Sequence, residues 1–246
     1  MAKPLLVANW KNFPSSLEEA KRLIRDLRKR KENFRKVSLF VAPPYPYFEI
    51  AKGFGELAAQ DLSLVSKGYH TGEVTVEILK SFGVRLVISG HSERRALGEL
   101  PGLINQKVKL ALKNGLVPLI CIGEKEKDKD GLHFDYLRQD LKTILSQISK
   151  NEAAKIAIAY EPQWAIGKSA KDSIDTLDLQ QTVMYIKKVL SDFYGRKVAE
   201  KISILYGGAV EPENAQVLFK NTGIRGFLVG HKSLNAKDFS EIAKAL

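Results

Sequence analysis

Short apolar runs alternate with amphipathic segments along the whole chain of 246 residues. The runs are mostly apolar without regular polar alternation, which is typical of strands that are buried on both faces of a parallel sheet. We predict eight such strands: Leu5–Trp10, Val37–Ala42, Glu56–Gln60, Leu86–Ser89, Val117–Ile122, Lys155–Tyr160, Ile202–Tyr206 and Gly226–Val229.

Segments with helical periodicity separate these strands. Two of them are closed by a glycine, which is a common helix end. The clearest segments are Ile104–Asn114 before Gly115, Tyr136–Ser149, Leu177–Phe193 before Gly195, and the terminal Asp238–Leu246.

This alternation indicates an α/β fold, the TIM (β/α)8 barrel, with eight parallel strands surrounded by helices. No Ser/Pro-rich linker or low-complexity stretch divides the chain, so we expect residues 1–246 to form one domain. A doubly wound sheet is the alternative, and eight repeats in this length favour the barrel. Polar residues that directly follow the strands would then meet at one mouth of the barrel.

The chain carries 39 basic and 28 acidic residues, a formal net charge of +11. The densest basic segment is Lys21–Lys36, where Leu17, Ala20, Ile24 and Leu27 form an apolar stripe. We interpret it as a helix with a solvated basic face, since no aromatic residues interleave with its Arg28-Lys29-Arg30-Lys31 charges as base stacking requires. A nucleic-acid-binding protein, with strongly salt-dependent affinity, is the less favoured alternative.

Neither a membrane partner nor secretion is expected. No apolar run approaches the roughly 18 residues of a membrane span, and the apolar part of the chain start is too short for a signal peptide. Cys121 is the only cysteine, so no intrachain disulfide can form. We therefore predict a cytoplasmic protein in which Cys121 has a packing role.

Two polar side chains follow predicted strands one and four. Lys11 comes directly after Asn9-Trp10 and would point into the barrel mouth, where it could stabilise an anion; an ordinary surface lysine is the alternative. His91 follows a strand and a glycine and precedes a polar stretch, so we favour a functional histidine over one that is satisfied in a loop.

The residues next to these candidates suit structural roles. Ser92 and Glu93 could cap the following helix. Arg94 and Arg95 are better explained as ion-pair partners than as catalysts, and Glu124 is expected to make a structural ion pair.

Glu161 ends the sixth predicted strand, where a carboxylate is a natural general base. Pro162 restricts the backbone immediately after it. The following Trp164-Ala165-Ile166 is too apolar for an idle exposed loop and suits a lid that closes over a ligand. A tryptophan packed in a static loop is the alternative.

Glycines follow the last two strands, in Gly207-Gly208-Ala209 and Gly230-His231. Loops in these two places of a barrel often bind phosphate through backbone N–H groups, although each could also be a plain turn. A base, a histidine, a lysine and a phosphate site around one mouth indicate proton abstraction next to a carbonyl on a small phosphorylated substrate. We expect no metal or other cofactor, because ligand clusters, a Walker loop and a dinucleotide fingerprint are all missing from the sequence.

Together these motifs resemble the triosephosphate isomerase family, in the family's order and along nearly the whole chain. The matching stretches are Asn9–Lys11, Thr71–Glu73, Ser89–Arg95, Cys121–Glu124, Ala159–Gly167, Tyr206–Gly208 and Gly226–Gly230.

The resemblance implies an isomerase that interconverts D-glyceraldehyde 3-phosphate and dihydroxyacetone phosphate through an enediolate, in glycolysis and gluconeogenesis. By the family's known chemistry, Glu161 would move the proton between carbons and His91, as neutral imidazole, would polarise the carbonyl. Lys11 would supply positive charge with Asn9 beside it, and Glu93 would order the polar network.

The resemblance also implies a homodimer, in which Thr71 approaches the active site of the neighbouring subunit. The loop from Pro162 onward would close over the substrate and exclude water. The implied substrate-binding residues are Asn9, Lys11, Gly167, Ala209, Gly230 and His231.

Three stretches depart from the family pattern. The lid reads Gly167-Lys168-Ser169-Ala170 in place of Gly-Thr-Gly-Lys, Ala209 replaces a serine, and His231 replaces a glycine. Losing one hydrogen bond to a charged phosphate costs about 1.5–3 kcal/mol, roughly ten- to a hundredfold in affinity. We expect an active enzyme with weaker phosphate binding or altered lid kinetics. The alternative is a barrel enzyme or binding protein for a different phosphorylated molecule.

Overall fold

Eight parallel strands close into a barrel in chain order, and the last strand pairs with the first. The computed structural model describes residues 3–65, 68–126, 131–165 and 174–246. The strands are β1 Leu5–Asn9, β2 Ser38–Ala42, β3 Glu56–Ala59, β4 Leu86–Ser89, β5 Val117–Ile122, β6 Ala157–Tyr160, β7 Ser203–Tyr206 and β8 Gly226–Val229.

Helices surround the strands, as the predicted α/β barrel requires. Within the described ranges they are α1 Leu17–Arg28, α2 Phe48–Ala51, α3 Val76–Ser81, α4 Ser92–Ala96, α5 Pro101–Lys113, α6 Leu132–Ile144, α7 Lys150–Ala153, α8 Thr176–Tyr194, α9 Arg196–Ala199, α10 Pro212–Thr222 and α11 Ala236–Lys244.

All eight predicted strands are confirmed, with ends that differ by at most two residues. The predicted helix Tyr136–Ser149 is wrong in its bounds, because α6 already ends at Ile144. Gln147 has a left-handed φ of 59°, which a continuous helix cannot contain. Ser149 instead caps α7 and forms a capping box with Glu152.

The core has two layers, because alternate strand residues point to opposite faces of the sheet. Val7, Ile88, Leu119 and Leu205 belong to the cluster inside the barrel. Cys121 joins that inner cluster and is 1% exposed, so its predicted packing role is confirmed. The outer layer packs between the strands and the helices.

Helix α1 carries only the first part of the basic segment, since the helix ends at Arg28 and Lys29-Arg30-Lys31 follow it. Ser16 accepts the backbone N–H of Glu19 and caps the helix. The buried residues are Ala20, Leu23, Ile24 and Leu27, whereas the predicted Leu17 is 43% exposed. The amphipathic interpretation therefore holds with Leu23 in the place of Leu17. Across the described ranges, none of the helices has the length and apolar character needed to span a bilayer.

Candidate active site

The strand ends surround a cavity of about 570 Å³. Its lining brings together Lys11 after β1, His91 after β4 and Glu161 after β6. The lining also includes Asn9, Ala209, Gly230 and His231 from the predicted substrate-binding set. The structure thus makes neighbours of residues that lie far apart in sequence.

His91 is itself the N-cap of α4, so the prediction that Ser92 or Glu93 would cap this helix is wrong. Its Nδ1 atom accepts the backbone N–H of Glu93 at 3.2 Å. The Glu93 carboxylate is more distant from Nδ1, at 3.7 Å. An acceptor Nδ1 carries a lone pair, so the proton of the neutral ring must lie on Nε2. Nε2 is the nitrogen that faces Glu161.

Glu161 is 2% exposed and directed at the histidine. Its Oε1 lies 3.4 Å from His91 Nε2, and its Oε2 accepts the backbone N–H of Ser92 at 3.3 Å. A Cβ on Gly207 would lie 2.8 Å from Glu161 Cγ, so the glycine leaves the space that the carboxylate side chain occupies. Burial, and then the nearby Glu161 carboxylate, raise the pKa of the Cys121 thiol well above its usual value.

Lys11 is held in a left-handed backbone conformation with φ of 52°. Asn9 Oδ1 accepts the Lys11 N–H at 3.0 Å. Gln60 Nε2 donates to the Lys11 carbonyl at 2.7 Å and to the Ala42 carbonyl at 2.9 Å. These bonds fix the backbone from both sides and leave Nζ in the cavity, 2.6 Å from Glu93 Oε1.

The loops after β7 and β8 form the far wall of the cavity. Ala209 is 7% exposed, and its carbonyl accepts Asn214 Nδ2 at 2.8 Å. Gly230 precedes a short 3₁₀ segment, His231–Leu234, and its carbonyl accepts the Ser233 hydroxyl at 2.6 Å. The His231 residue is exposed at the start of that segment.

Lys232 also lines the cavity, and sequence reasoning did not identify it. Its Nζ lies 3.3 Å from Glu211 Oε1 and 3.6 Å from Asp238 Oδ2. Gln60 was missed as well. The available signal for both was position, because Lys232 follows β8 and Gln60 follows β3 at the active end of the barrel.

The first part of the predicted lid packs against the rim. Glu124 Oε1 accepts the Tyr160 hydroxyl at 2.9 Å and Trp164 Nε1 at 2.8 Å. The contacts described for Glu124 are therefore hydrogen bonds to aromatic side chains, where we predicted an ion pair. Burial, and then Glu124, raise the pKa of Tyr160. Gly167 and the Lys168-Ser169-Ala170 departure lie outside the described residues.

The two arginines after His91 are ion-pair partners, as predicted. Arg94 lies 3.1 Å from Asp61 Oδ2. Arg95 donates two hydrogen bonds to Asp140, at 3.0 and 2.8 Å, and its Nε donates to the Gly90 carbonyl at 2.8 Å. The Arg95–Asp140 pair therefore holds the backbone directly before His91.

Of the two predicted supporting residues, Glu93 contacts Lys11 and His91, whereas Thr71 lies away from this cavity. It is exposed and lines a separate groove with Tyr45, Arg94 and Leu103. Within a single chain it cannot contribute to the site described above.

The sequence was also compared with protein families and with individual known proteins, and both comparisons give the same family. The chain matches the family model described as Triosephosphate isomerase over residues 4–246. It is 37% identical to the triosephosphate isomerase of Carboxydothermus hydrogenoformans, with 99% of each chain covered. It is 37% identical to that of Fusobacterium nucleatum, over 100% of this chain and 99% of the relative. Identity to that of Citrifermentans bemidjiense is 39%, again over 99% of each chain.

We predict that Arg95→Met lowers the free energy of unfolding by about 3–5 kcal/mol at pH 7.5, because it leaves the buried Asp140 carboxylate unpaired. Burial already raises the pKa of Asp140 despite Arg95, and loss of the guanidinium raises it further. A carboxyl with a higher pKa in the folded state binds protons preferentially there, so acid favours folding. The loss should therefore be smaller at pH 5.

Urea unfolding at the two pH values measures this difference. The matched control is the double variant Arg95→Met/Asp140→Asn, which removes the orphaned charge and should recover part of the lost stability. Equal losses at both pH values, or a double variant no more stable than the single one, would contradict the assigned role of the pair.

Proposed function

The chain belongs to the triosephosphate isomerase family and interconverts D-glyceraldehyde 3-phosphate and dihydroxyacetone phosphate, and on that premise we propose which residues carry the reaction. The observation that supports the proposal is the Glu161–His91 pair, whose Oε1 and Nε2 atoms lie 3.4 Å apart at the floor of the cavity. A carbon acid bound above this pair would meet a base and a hydrogen-bond donor together.

The proton step follows from these positions. The Glu161 carboxylate takes a proton from the carbon next to the carbonyl, and the electrons of that C–H bond form the C=C bond of an enediolate. The carbonyl π electrons move onto oxygen, which accepts a hydrogen bond from His91 Nε2–H. Glu161 returns the proton to the neighbouring carbon, while His91 transfers a proton between the two oxygens. The neutral state of this histidine is an established property of the family.

Lys11 supplies positive charge beside the developing oxyanion. Its fixed backbone and the 2.6 Å contact with Glu93 place the ammonium before substrate binds. Such preorganisation lowers the barrier because the charge need not reorganise during the reaction. Glu93 is a positioning residue, since its carboxylate holds Lys11 and its backbone N–H holds His91.

The phosphate would occupy the wall formed by Ala209, Gly230 and His231. Backbone N–H groups of these loops are the proposed donors, as in other barrels with phosphate sites after their last strands. Asn9 supports Lys11, and Gly167 belongs to the same proposal although it lies outside the described residues. The competing idea, a different phosphorylated ligand, is not favoured, since Glu161, His91 and Lys11 line the same cavity as the proposed phosphate wall.

We also propose that residues 1–246 act as one domain in a cytoplasmic homodimer. A dimer is supported by exposed apolar side chains close in sequence to residues that line the Thr71 groove, namely Leu97 at 78%, Leu100 at 69% and Tyr69 at 106%. A patch of exposed apolar side chains marks a protein interface, and we propose that these three residues belong to one. The cytoplasmic location is supported by glycolytic chemistry and by a single, buried cysteine, and cell fractionation would test it.

The dimer proposal predicts that sedimentation equilibrium yields twice the monomer mass. Leu100→Glu should shift the protein toward monomer, because it puts a charge into the proposed apolar interface. Val217→Glu is the matched control, since Val217 is 49% exposed on α10, far along the chain from the Thr71 groove. A monomeric parent, or two variants that behave alike, would count against this interface.

The catalytic assignment predicts that Glu161→Asp lowers kcat for glyceraldehyde 3-phosphate by about 10²-fold or more, with a small change in KM. Shortening the side chain withdraws the base by roughly 1 Å, and misplacement on that scale costs about 10²-fold. Glu213→Asp, an exposed change in the first turn of α10, is the control and should leave kcat unchanged. Parent-like turnover by the Glu161→Asp variant would refute the assignment of the base.

A further inference from the structure

A second groove, of about 650 Å³, lies at the opposite end of the barrel from the catalytic cavity. Its lining includes Ile202 and Arg225, which directly precede β7 and β8. Residues of α8, of α9 and of the turn after α10 complete it. The groove therefore belongs to the amino ends of the strands, whereas Glu161 and His91 follow carboxyl ends.

The groove carries an uncompensated positive charge. Its lining contains four cationic side chains and one carboxylate, Glu200. Arg196 already pairs with that carboxylate, Nε to Oε1, at 2.7 Å. In the part of the chain that the structure describes, no acidic group lies within ion-pair distance of the remaining cations. These are Lys187, Lys188 and Arg225.

Lys187 is fixed at the wall of the groove and is half-buried. Its Nζ donates to the Gly223 carbonyl at 3.1 Å, which leaves two of the three ammonium hydrogens for another acceptor. Burial, and then the charge of Arg225, lower the pKa of Lys187. Lys187 and Arg225 line the same groove and repel each other, and a bound anion would relieve both the repulsion and the desolvation.

The other side of the groove is apolar. Ile202 and Ile224 form a buried base, at 2% and 3% exposure. Met184, on α8, is 64% exposed at the rim and gives the groove an adaptable apolar surface. A ligand that fits both sides must therefore combine several negative charges with an apolar or aromatic group.

We propose that this groove binds an organic polyphosphate with an aromatic group, of the class of a nucleoside triphosphate. The polyphosphate would lie against Lys187 and Arg225, and the ring would cover Ile202, Ile224 and Met184. The volume suits a ligand of that size, since small-molecule sites span about 300–1,000 Å³. A triose phosphate has no apolar group that could use the apolar side.

Isothermal titration of the full-length protein with ATP at low ionic strength tests the proposal, since salt screens surface charges. One ATP should bind per chain. Lys187→Gln and Arg225→Gln should each weaken binding about tenfold or more, the usual effect of losing a hydrogen bond to a charged group. Lys142→Gln is the control, because it removes the same charge from an exposed position on α6 and should change affinity less than about twofold.

Two further titrations separate this groove from the catalytic cavity and test its apolar side. Lys11→Met should leave ATP binding unchanged, since Lys11 lies at the other mouth. Inorganic tripolyphosphate should bind more weakly than ATP, because it lacks the ring. In the absence of ATP, Lys187→Gln should isomerise triose phosphates with the kcat and KM of the parent.

Four results would overturn the proposal: no binding of ATP, equal binding by the parent and both groove variants, loss of binding in Lys11→Met, or tripolyphosphate binding as tightly as ATP. Thermal unfolding of each variant checks that the fold is intact. The readout is binding and not turnover, so failure here leaves the catalytic proposal untouched, and failure of that proposal leaves this one testable.

Discussion

The hydrogen bond from the Glu93 N–H to His91 Nδ1 is the contact on which the proposed chemistry depends. It uses a backbone donor at the first turn of α4, a group that has no partner within the helix. Because that donor occupies Nδ1, the remaining proton of a neutral ring lies on Nε2 and faces Glu161. The helix start therefore selects which nitrogen can donate to a substrate oxygen, and the barrel supplies the base opposite it.

Neighbouring residues hold His91, Glu161 and Lys11 in position. Arg95 holds the Gly90 carbonyl directly before His91, and its partner Asp140 comes from α6, outside the barrel. Gly207 gives Glu161 room that a larger residue would fill. Gln60 fixes the strained backbone of Lys11 from β3's end. Each supporting residue comes from a different strand or helix, so the site requires the closed barrel.

Sequence reasoning predicted what depends on local pattern. Buried strands are recognisable in the sequence as short apolar runs. The candidate site residues follow those runs directly, because the active site of a barrel lies at the carboxyl ends of its strands. The predicted helix Tyr136–Ser149 failed because its composition is helical throughout, whereas Ser149 begins a new helix with Glu152 as its capping partner. Gln60 and Lys232 were missed because their partners come from other elements of the chain, such as Ala42 on β2 and Asp238 on α11. Such partners are visible only after folding.

The same reasoning assigned the cap of α4 to Ser92 or Glu93, since serine and acidic residues are frequent near helix starts. The actual cap is His91, a residue that is not among the preferred N-cap types and whose proposed role is in the reaction. His91 therefore has two roles, since it caps the start of α4 and presents its ring to the cavity, and a backbone N–H sets the orientation of that ring. The tautomer of His91 therefore reports whether the Glu93 N–H donates to Nδ1.

The most direct test of the account is therefore nitrogen-15 NMR of the imidazole, with the His91 signals assigned by comparison with a His91→Gln variant. At pH 7.5 we predict a neutral ring whose Nδ1 is an unprotonated acceptor and whose Nε2 carries the proton. An imidazolium, or a proton on Nδ1, would show that the Glu93 N–H does not set the state of the histidine and would contradict the proposed mechanism.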